Sequence, residues 1–159
     1  MAETESLVID TTYLLPLFGL ETSITNYDEK LPILLDKYDV KYNPISLLEA
    51  KWLIIRIAKK NKKEKFETFL EYYREGIAAI EKEDRIHQTA FTNENIERLS
   101  DSILMTTNIK DYFDRQIYST AANLGYVLVT EDKQLHELKN YQITPKPKKV
   151  VYWKQIDSV

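Results

Sequence analysis

The sequence predicts an α/β fold: three αβα layers, Rossmann-like, around a central parallel sheet. Two observations carry that expectation. Short apolar runs of strand length alternate with longer segments whose apolar residues recur at helical spacing, the pattern of strands joined by helical crossovers. The chain has 159 residues, 43% hydrophobic and 30% charged, which is a globular balance large enough to bury a core. One domain spanning residues 1–159 is expected, since no repeat, low-complexity segment or long linker interrupts the pattern.

Residues 7–10 form the first expected strand, an apolar Leu7-Val8-Ile9 run closed by Asp10. Residues 11–18 open a helix with Pro16 in its first turns. Residues 26–38 carry apolar side chains at 31, 33, 34, 35 and 38, an amphipathic helix, and 40–43 form a second strand. Pro44 and Ser46 mark the next helix start, and Ser46 with Glu49 three residues on has the form of a capping box. That helix runs to about residue 60, where Lys59-Lys60-Asn61-Lys62-Lys63 reads as a hydrophilic hinge. A long helix over 64–83 follows, apolar at 66, 69, 70, 73, 77 and 80. A short strand (85–89) and a helix (93–105) come next. Asp111 caps a helix that Gly125 stops. Residues 126–130 are the clearest buried strand. A short helix (132–138) and a late strand (150–153) complete the series.

Composition excludes several classes of chemistry. With no cysteine, disulfides, thiolate metal sites and cysteine nucleophiles are ruled out. Two histidines, His87 and His136, do not supply a multi-histidine zinc site. No uninterrupted apolar stretch approaches the ~20 residues of a membrane helix. The acidic start Met-Ala-Glu-Thr-Glu lacks the basic opening of a signal peptide, so a cytoplasmic location is the expectation. The net charge of −3 gives no global attraction to nucleic acid.

Four carboxylates stand where this fold gathers side chains. In open parallel sheets, sites form beyond the carboxyl ends of the strands. Asp10 ends the first strand and Asp132 lies just past the 126–130 strand. Glu49 and Asp114 sit near the starts of two helices and complete the set if they point inward. Acids at ~5 Å and an effective dielectric of ~20 repel by roughly 3 kcal/mol per pair. Such a cluster persists when protons or a cation neutralise it, and all-oxygen ligands suit Mg²⁺ or Mn²⁺. Each acid also has a local reading. Asp10 and Asp132 are possible caps, Glu49 is the third residue of a capping box, and Asp114 is a favourable anion in a first helical turn. Asp111 reads as a cap rather than a ligand.

The segments Val8-Ile9-Asp10-Thr11-Thr12, Ser46-Leu47-Leu48-Glu49, Asp111-Tyr112-Phe113-Asp114-Arg115 and Leu128-Val129-Thr130-Glu131-Asp132 resemble, in that order, the motifs of PIN-domain nucleases. The resemblance is nearest to VapC-type toxin ribonucleases of prokaryotic toxin–antitoxin pairs. It implies a Mg²⁺- or Mn²⁺-dependent endoribonuclease that hydrolyses RNA phosphodiester bonds. Asp10, Glu49, Asp114 and Asp132 would be its catalytic and metal-binding acids, with Thr12 and Thr130 at supporting hydroxyl positions. An antitoxin partner and a homodimer are implied by the resemblance alone. Arg115, beside Asp114, is a candidate for phosphate contact or for bracing a carboxylate. His136 is a lesser candidate for phosphate approach. His87 and the tyrosines Tyr72, Tyr73, Tyr112 and Tyr118 read mainly as packing or surface groups. The alternative reading is a non-catalytic PIN-fold module that binds RNA or protein without cutting.

Overall fold

The computed structural model describes residues 3–158. Five short parallel strands form one sheet: β1 (Ser6–Ile9), β2 (Asp39–Tyr42), β3 (Ile86–Gln88), β4 (Val127–Val129) and β5 (Lys149–Val151), in the order β3-β2-β1-β4-β5. The chain therefore builds outward from β1 in one direction as far as β3. It then returns across the sheet to place β4 on the other side of β1. Register is fixed by Leu7 opposite Val40 on one side and opposite Val127 on the other.

Helices cover both faces, as the alternation of elements requires. They are α1 (Tyr27–Lys37), α2 (Ile45–Lys60), α3 (Phe66–Lys82), α4 (Glu94–Thr106), α5 (Tyr112–Leu124) and the short α6 (Lys133–Glu137). Because strand side chains alternate, Leu7 and Ile9 enter one core while Val8 enters the other. The first core joins Leu7, Ile9, Val40, Val127 and Val129 to Leu34 of α1, Ile54 of α2 and Phe69 of α3. The second joins Val8 and Leu128 to Ile103 of α4, Ile117 and Ala121 of α5 and Leu135 of α6. Side chains buried on both faces explain why these strands read as continuous apolar runs. Each such Val, Leu or Ile contributes about 1.5–3 kcal/mol through burial.

Several local expectations are corrected. Residues 11–18 form two 3-10 turns, Thr11–Tyr13 and Leu15–Phe18, instead of one α-helix. Pro16, which has no N–H to donate, sits at the start of the second turn, and Gly19 ends it at φ 74°. Ser46 does not cap α2. The helix starts at Ile45, and Asn43 performs the local capping by accepting from the Ile45 N–H at 2.8 Å. Ser46 is buried inside the first turn, so Glu49 is an interior helical residue whose carboxylate is free to face the sheet end. Of the expected 59–63 hinge, Lys59 and Lys60 belong to the last turn of α2, and the connection begins at Asn61, which accepts from the Lys63 and Glu64 N–H groups.

α3 approaches the Leu15–Phe18 turn closely at Gly76. A Cβ there would lie 2.2 Å from Phe18 Cδ1 and 2.6 Å from the Leu17 carbonyl oxygen. A side chain at position 76 would push the helix off the first core.

Candidate active site

The site lies where the strand order reverses, between the carboxyl ends of β1 and β4. Asp10 leaves β1 and its backbone N–H donates to the Val129 carbonyl at 3.0 Å, so the two strand ends are held together up to the acid itself. The Asp10 side chain is buried. Its Oδ1 accepts from the Thr11 N–H at 2.6 Å and its Oδ2 from the Thr130 hydroxyl at 2.6 Å. The same Thr130 oxygen accepts from the Asp132 N–H at 3.1 Å. One hydroxyl thus ties the acid after β1 to the backbone of the acid after β4.

Asp132 caps α6, with its Oδ1 accepting from the Gln134 N–H at 2.7 Å. Its neighbour Glu131 is turned the other way, accepting from the Tyr13 hydroxyl and the Trp153 N–H at 2.8 Å each. Position 132 is the one whose charge acts on Asp10 and Asp114. Glu49 reaches in from the second turn of α2 and accepts a hydrogen bond from the Thr11 hydroxyl. Asp114 comes from the first turn of α5, which Asp111 caps by accepting from the Phe113 N–H at 2.8 Å.

These acids share one electrostatic neighbourhood. Burial pushes Asp10 above the usual carboxylate range, and the charges of Asp132 and Asp111 add to the push against its two hydrogen bonds. Burial raises Glu49 to about 7; the Thr11 hydroxyl and Arg56 oppose the rise, while Asp10 and Asp111 reinforce it. Asp114 is raised to about 8, first by burial and then by Asp10, Asp111, Asp132 and Glu49.

The donor set fits a hard divalent cation in chemistry: four half-buried carboxylates, no nitrogen or sulfur ligand, and surplus negative charge. Among the described residues, no three Asp, Glu, His or Cys side chains already stand close enough to enclose an ion. The acids are near enough to raise one another's pKa.

The supporting groups differ from expectation. The hydroxyl bonded to Glu49 belongs to Thr11, not Thr12. Thr130 does touch an acid of the cluster. Arg115 faces away. Its guanidinium is buried against the 107–111 loop, donating to the Lys110 carbonyl at 2.6 Å and lying 5.6 Å from the Tyr112 ring. An interior guanidinium that donates through Nη1 to the Ile109 and Lys110 carbonyls holds the loop that presents Asp111. His136 is also engaged elsewhere, with Nε2 2.8 Å from the Thr130 carbonyl and its ring stacked on Tyr152 at 3.7 Å. Of the tyrosines, Tyr118 is buried, Tyr73 donates to the Leu47 carbonyl, and Tyr112 donates to Glu97. His87 is exposed on β3.

Beside the acids is a cleft of about 500 Å³ lined by Glu49, Trp52, Leu53, Arg56, Asp111 and Phe113. Sequence reasoning missed Trp52 and Arg56 as site residues. The available signal was their spacing, three and seven residues beyond Glu49, which puts all three on one face of α2.

No protein-family model and no curated protein matches the chain. Solved structures do. The chain is similar to one in the VapBC2 complex of Rickettsia felis bound to a DNA fragment from its promoter, at a TM-score of 0.59 and 17% identity, covering 93% of this chain and 98% of that one. It is similar to a chain of the DNA-bound VapBC complex of Salmonella typhimurium, with a TM-score of 0.55 and 14% identity, covering 94% and 99%. A chain of FitAB bound to an IR36 DNA fragment gives 0.56 and 16%, covering 92% and 94%. At these identities the likeness establishes the fold. It is the α/β fold of the VapBC and FitAB assemblies, in line with the PIN-domain, VapC-type resemblance carried by the four ordered motifs.

Proposed function

We propose that this chain is a Mg²⁺- or Mn²⁺-dependent endoribonuclease that hydrolyses RNA phosphodiester bonds and acts as the toxin of a toxin–antitoxin pair. The observation that carries the reading is the set of acids at the β1/β4 reversal, with Glu49 and Asp114 raised to about 7 and 8. A fold gains nothing from turning unneutralised carboxylates toward one another, so their convergence marks a site that a cation completes.

Asp10, Glu49, Asp114 and Asp132 are the residues that would hold the ion. When bound, a divalent cation supplies charge neutralisation at the phosphate and lowers the pKa of a coordinated water. The chain's own groups supply position. Asp10 is the best-fixed acid, held by the Thr11 N–H and the Thr130 hydroxyl, so its carboxylate meets the ligand without reorganising. Thr130 and Thr11 orient Asp10 and Glu49 as outer partners do in metal sites. Glu49, held by the Thr11 hydroxyl, would bind the ion through water or orient the attacking water.

The antitoxin reading is supported by the neighbours, which are VapBC and FitAB assemblies on DNA. A homodimer is proposed on the resemblance, together with exposed apolar residues such as Leu104 and Met105 on α4. Among the described residues, no helix is long and apolar enough to cross a membrane.

The test is cleavage of single-stranded RNA by the purified chain with and without Mn²⁺, set beside Asp10→Asn. Metal-stimulated cleavage by the wild type, lost in the variant, is expected. Full metal-stimulated cleavage by Asp10→Asn overturns the assignment. Metal binding with no cleavage across varied RNAs favours the non-catalytic module.

A further inference from the structure

α2 presents three chemically different groups in succession to the cleft: the Glu49 carboxylate, the Trp52 indole and the Arg56 guanidinium. Trp52 is 71% exposed, whereas the chain's other tryptophan, Trp153, is 3% exposed and stacked on Tyr13 and Tyr27. An indole left in water in the middle of a well-packed helix adds nothing to the core beneath it, where Ala50, Ile54 and Ala58 supply the burial. Phe113 lines the opposite side from α5, next to the cap residue Asp111.

We propose that Trp52 is a stacking platform for an unpaired base of the RNA substrate, next to the bond being cut. This rests on the nuclease reading and names the form of RNA taken: single-stranded, with a base free of its pairing partner.

The argument is one of complementarity. A cluster of acids repels a polyanion, so ground-state binding needs anchoring that does not depend on charge at the acids. A base face on an indole provides it and tolerates any sequence, because every base has a π-face. Arg56, one turn beyond Trp52 in the same cleft, is the cation that meets the phosphate. A paired base has its faces covered by its neighbours in the stack and has no face to offer. The cleft is also continuous with the chemistry, since Glu49 belongs to both.

Fluorescence reads the contact directly, because Trp52 is the water-exposed tryptophan of the two. The probes are a short single-stranded RNA and the same RNA annealed to its complement, added to Asp10→Asn so that binding is seen without cleavage. Saturable quenching by the single strand, absent with the duplex and absent in Asp10→Asn/Trp52→Ala, is expected. In the active protein, Trp52→Ala is expected to raise KM for single-stranded RNA roughly tenfold with kcat nearly unchanged, within the range base–aromatic stacking gives. Trp52→Phe recovers most of that loss.

Quenching with no cleavage by any preparation leaves the platform standing and removes the nuclease reading. Acid-dependent cleavage whose KM is unmoved by Trp52→Ala overturns the platform alone. Loss of self-association in Trp52→Ala without any change in RNA binding assigns the indole to a second copy and overturns the inference as well.

Discussion

Two groups of acids lie on neighbouring helices and behave in opposite ways. Glu97 of α4 accepts from the Thr92 hydroxyl, the Tyr112 hydroxyl and the Gln116 amide, with Arg115 nearby, and these hold its carboxyl below the usual range. Glu49 and Asp114, at the β1/β4 reversal, are pushed up to about 7 and 8. Both groups are partly buried; the difference is donors. Around Glu97, three donors converge on Oε1: two hydroxyls and an amide. At the strand ends, the groups facing each acid are mostly other acids. Where a carboxylate serves stability, the fold surrounds it with donors; at the reversal the Thr11 hydroxyl and Arg56 only partly offset burial and the neighbouring acids at Glu49, leaving room for a neutralising group from outside.

The largest effect that would break this contrast is catalytic. Asp10→Asn is expected to lower metal-stimulated RNA cleavage by more than about a hundredfold, beyond what loss of an outer partner causes. The variant keeps its fold, because the amide oxygen still accepts from the Thr11 N–H and the Thr130 hydroxyl can rotate. Single-turnover assays beside a thermal melt separate the two outcomes. Next is Thr130→Val, which removes the hydroxyl joining Asp10 to the Asp132 backbone. A fall in Mn²⁺ affinity of about tenfold is expected by titration, with a smaller loss of stability.

The pH response sharpens the comparison. Glu49 and Asp114 bind protons more tightly folded than unfolded, so the metal-free folded state is favoured at low pH. Stability is then lost as pH climbs from about 4.5 toward 8, at up to roughly 1.4 kcal/mol per pH unit per proton. Melts at pH 5 and pH 8 are expected to show the drop, and saturating Mn²⁺ to restore more at pH 8. Glu97, with its pKa lowered, works in the opposite sense and loses its contribution as pH falls through the acid range. Unchanged melting between pH 5 and 8 would sink the account of the cluster. The smallest effects are paired substitutions. In the metal-free protein, Asp114→Asn is expected to stabilise by about 1 kcal/mol and to flatten the pH response. Glu97→Gln is expected to destabilise by about 1 kcal/mol, because its partners lose a charged acceptor.

Much of the frame was legible because its signals are local. The Asp111 cap and the Gly125 stop bound α5 as read, each depending on residues within one turn. Within the run at 126–130, Val127–Val129 form the strand because both its faces are buried, which makes those three residues apolar throughout. Asp10 and Asp132 were readable as partners once β1 and β4 were taken as neighbours. The misreadings have nonlocal causes. Ser46 looked like a cap because Ser-x-x-Glu is a local pattern, but Asn43 stands three residues earlier and is held by Thr120, 77 residues away. Arg115 follows Asp114 in sequence, yet the helix turns it about 100° away, toward the Lys110 carbonyl. Trp52 acquired meaning only when α5 docked opposite it.

The sheet order has a consequence for synthesis. β1 is the central strand and the first made, but its partner β4 begins 118 residues after Asp10's predecessor Ile9, at Val127. Until that stretch leaves the ribosome, Asp10 lacks the Thr130 hydroxyl, Asp132 does not exist, and one side of β1 is an open edge. The group of acids around Asp10 therefore comes together only once β4 and the Thr130–Asp132 segment have been made.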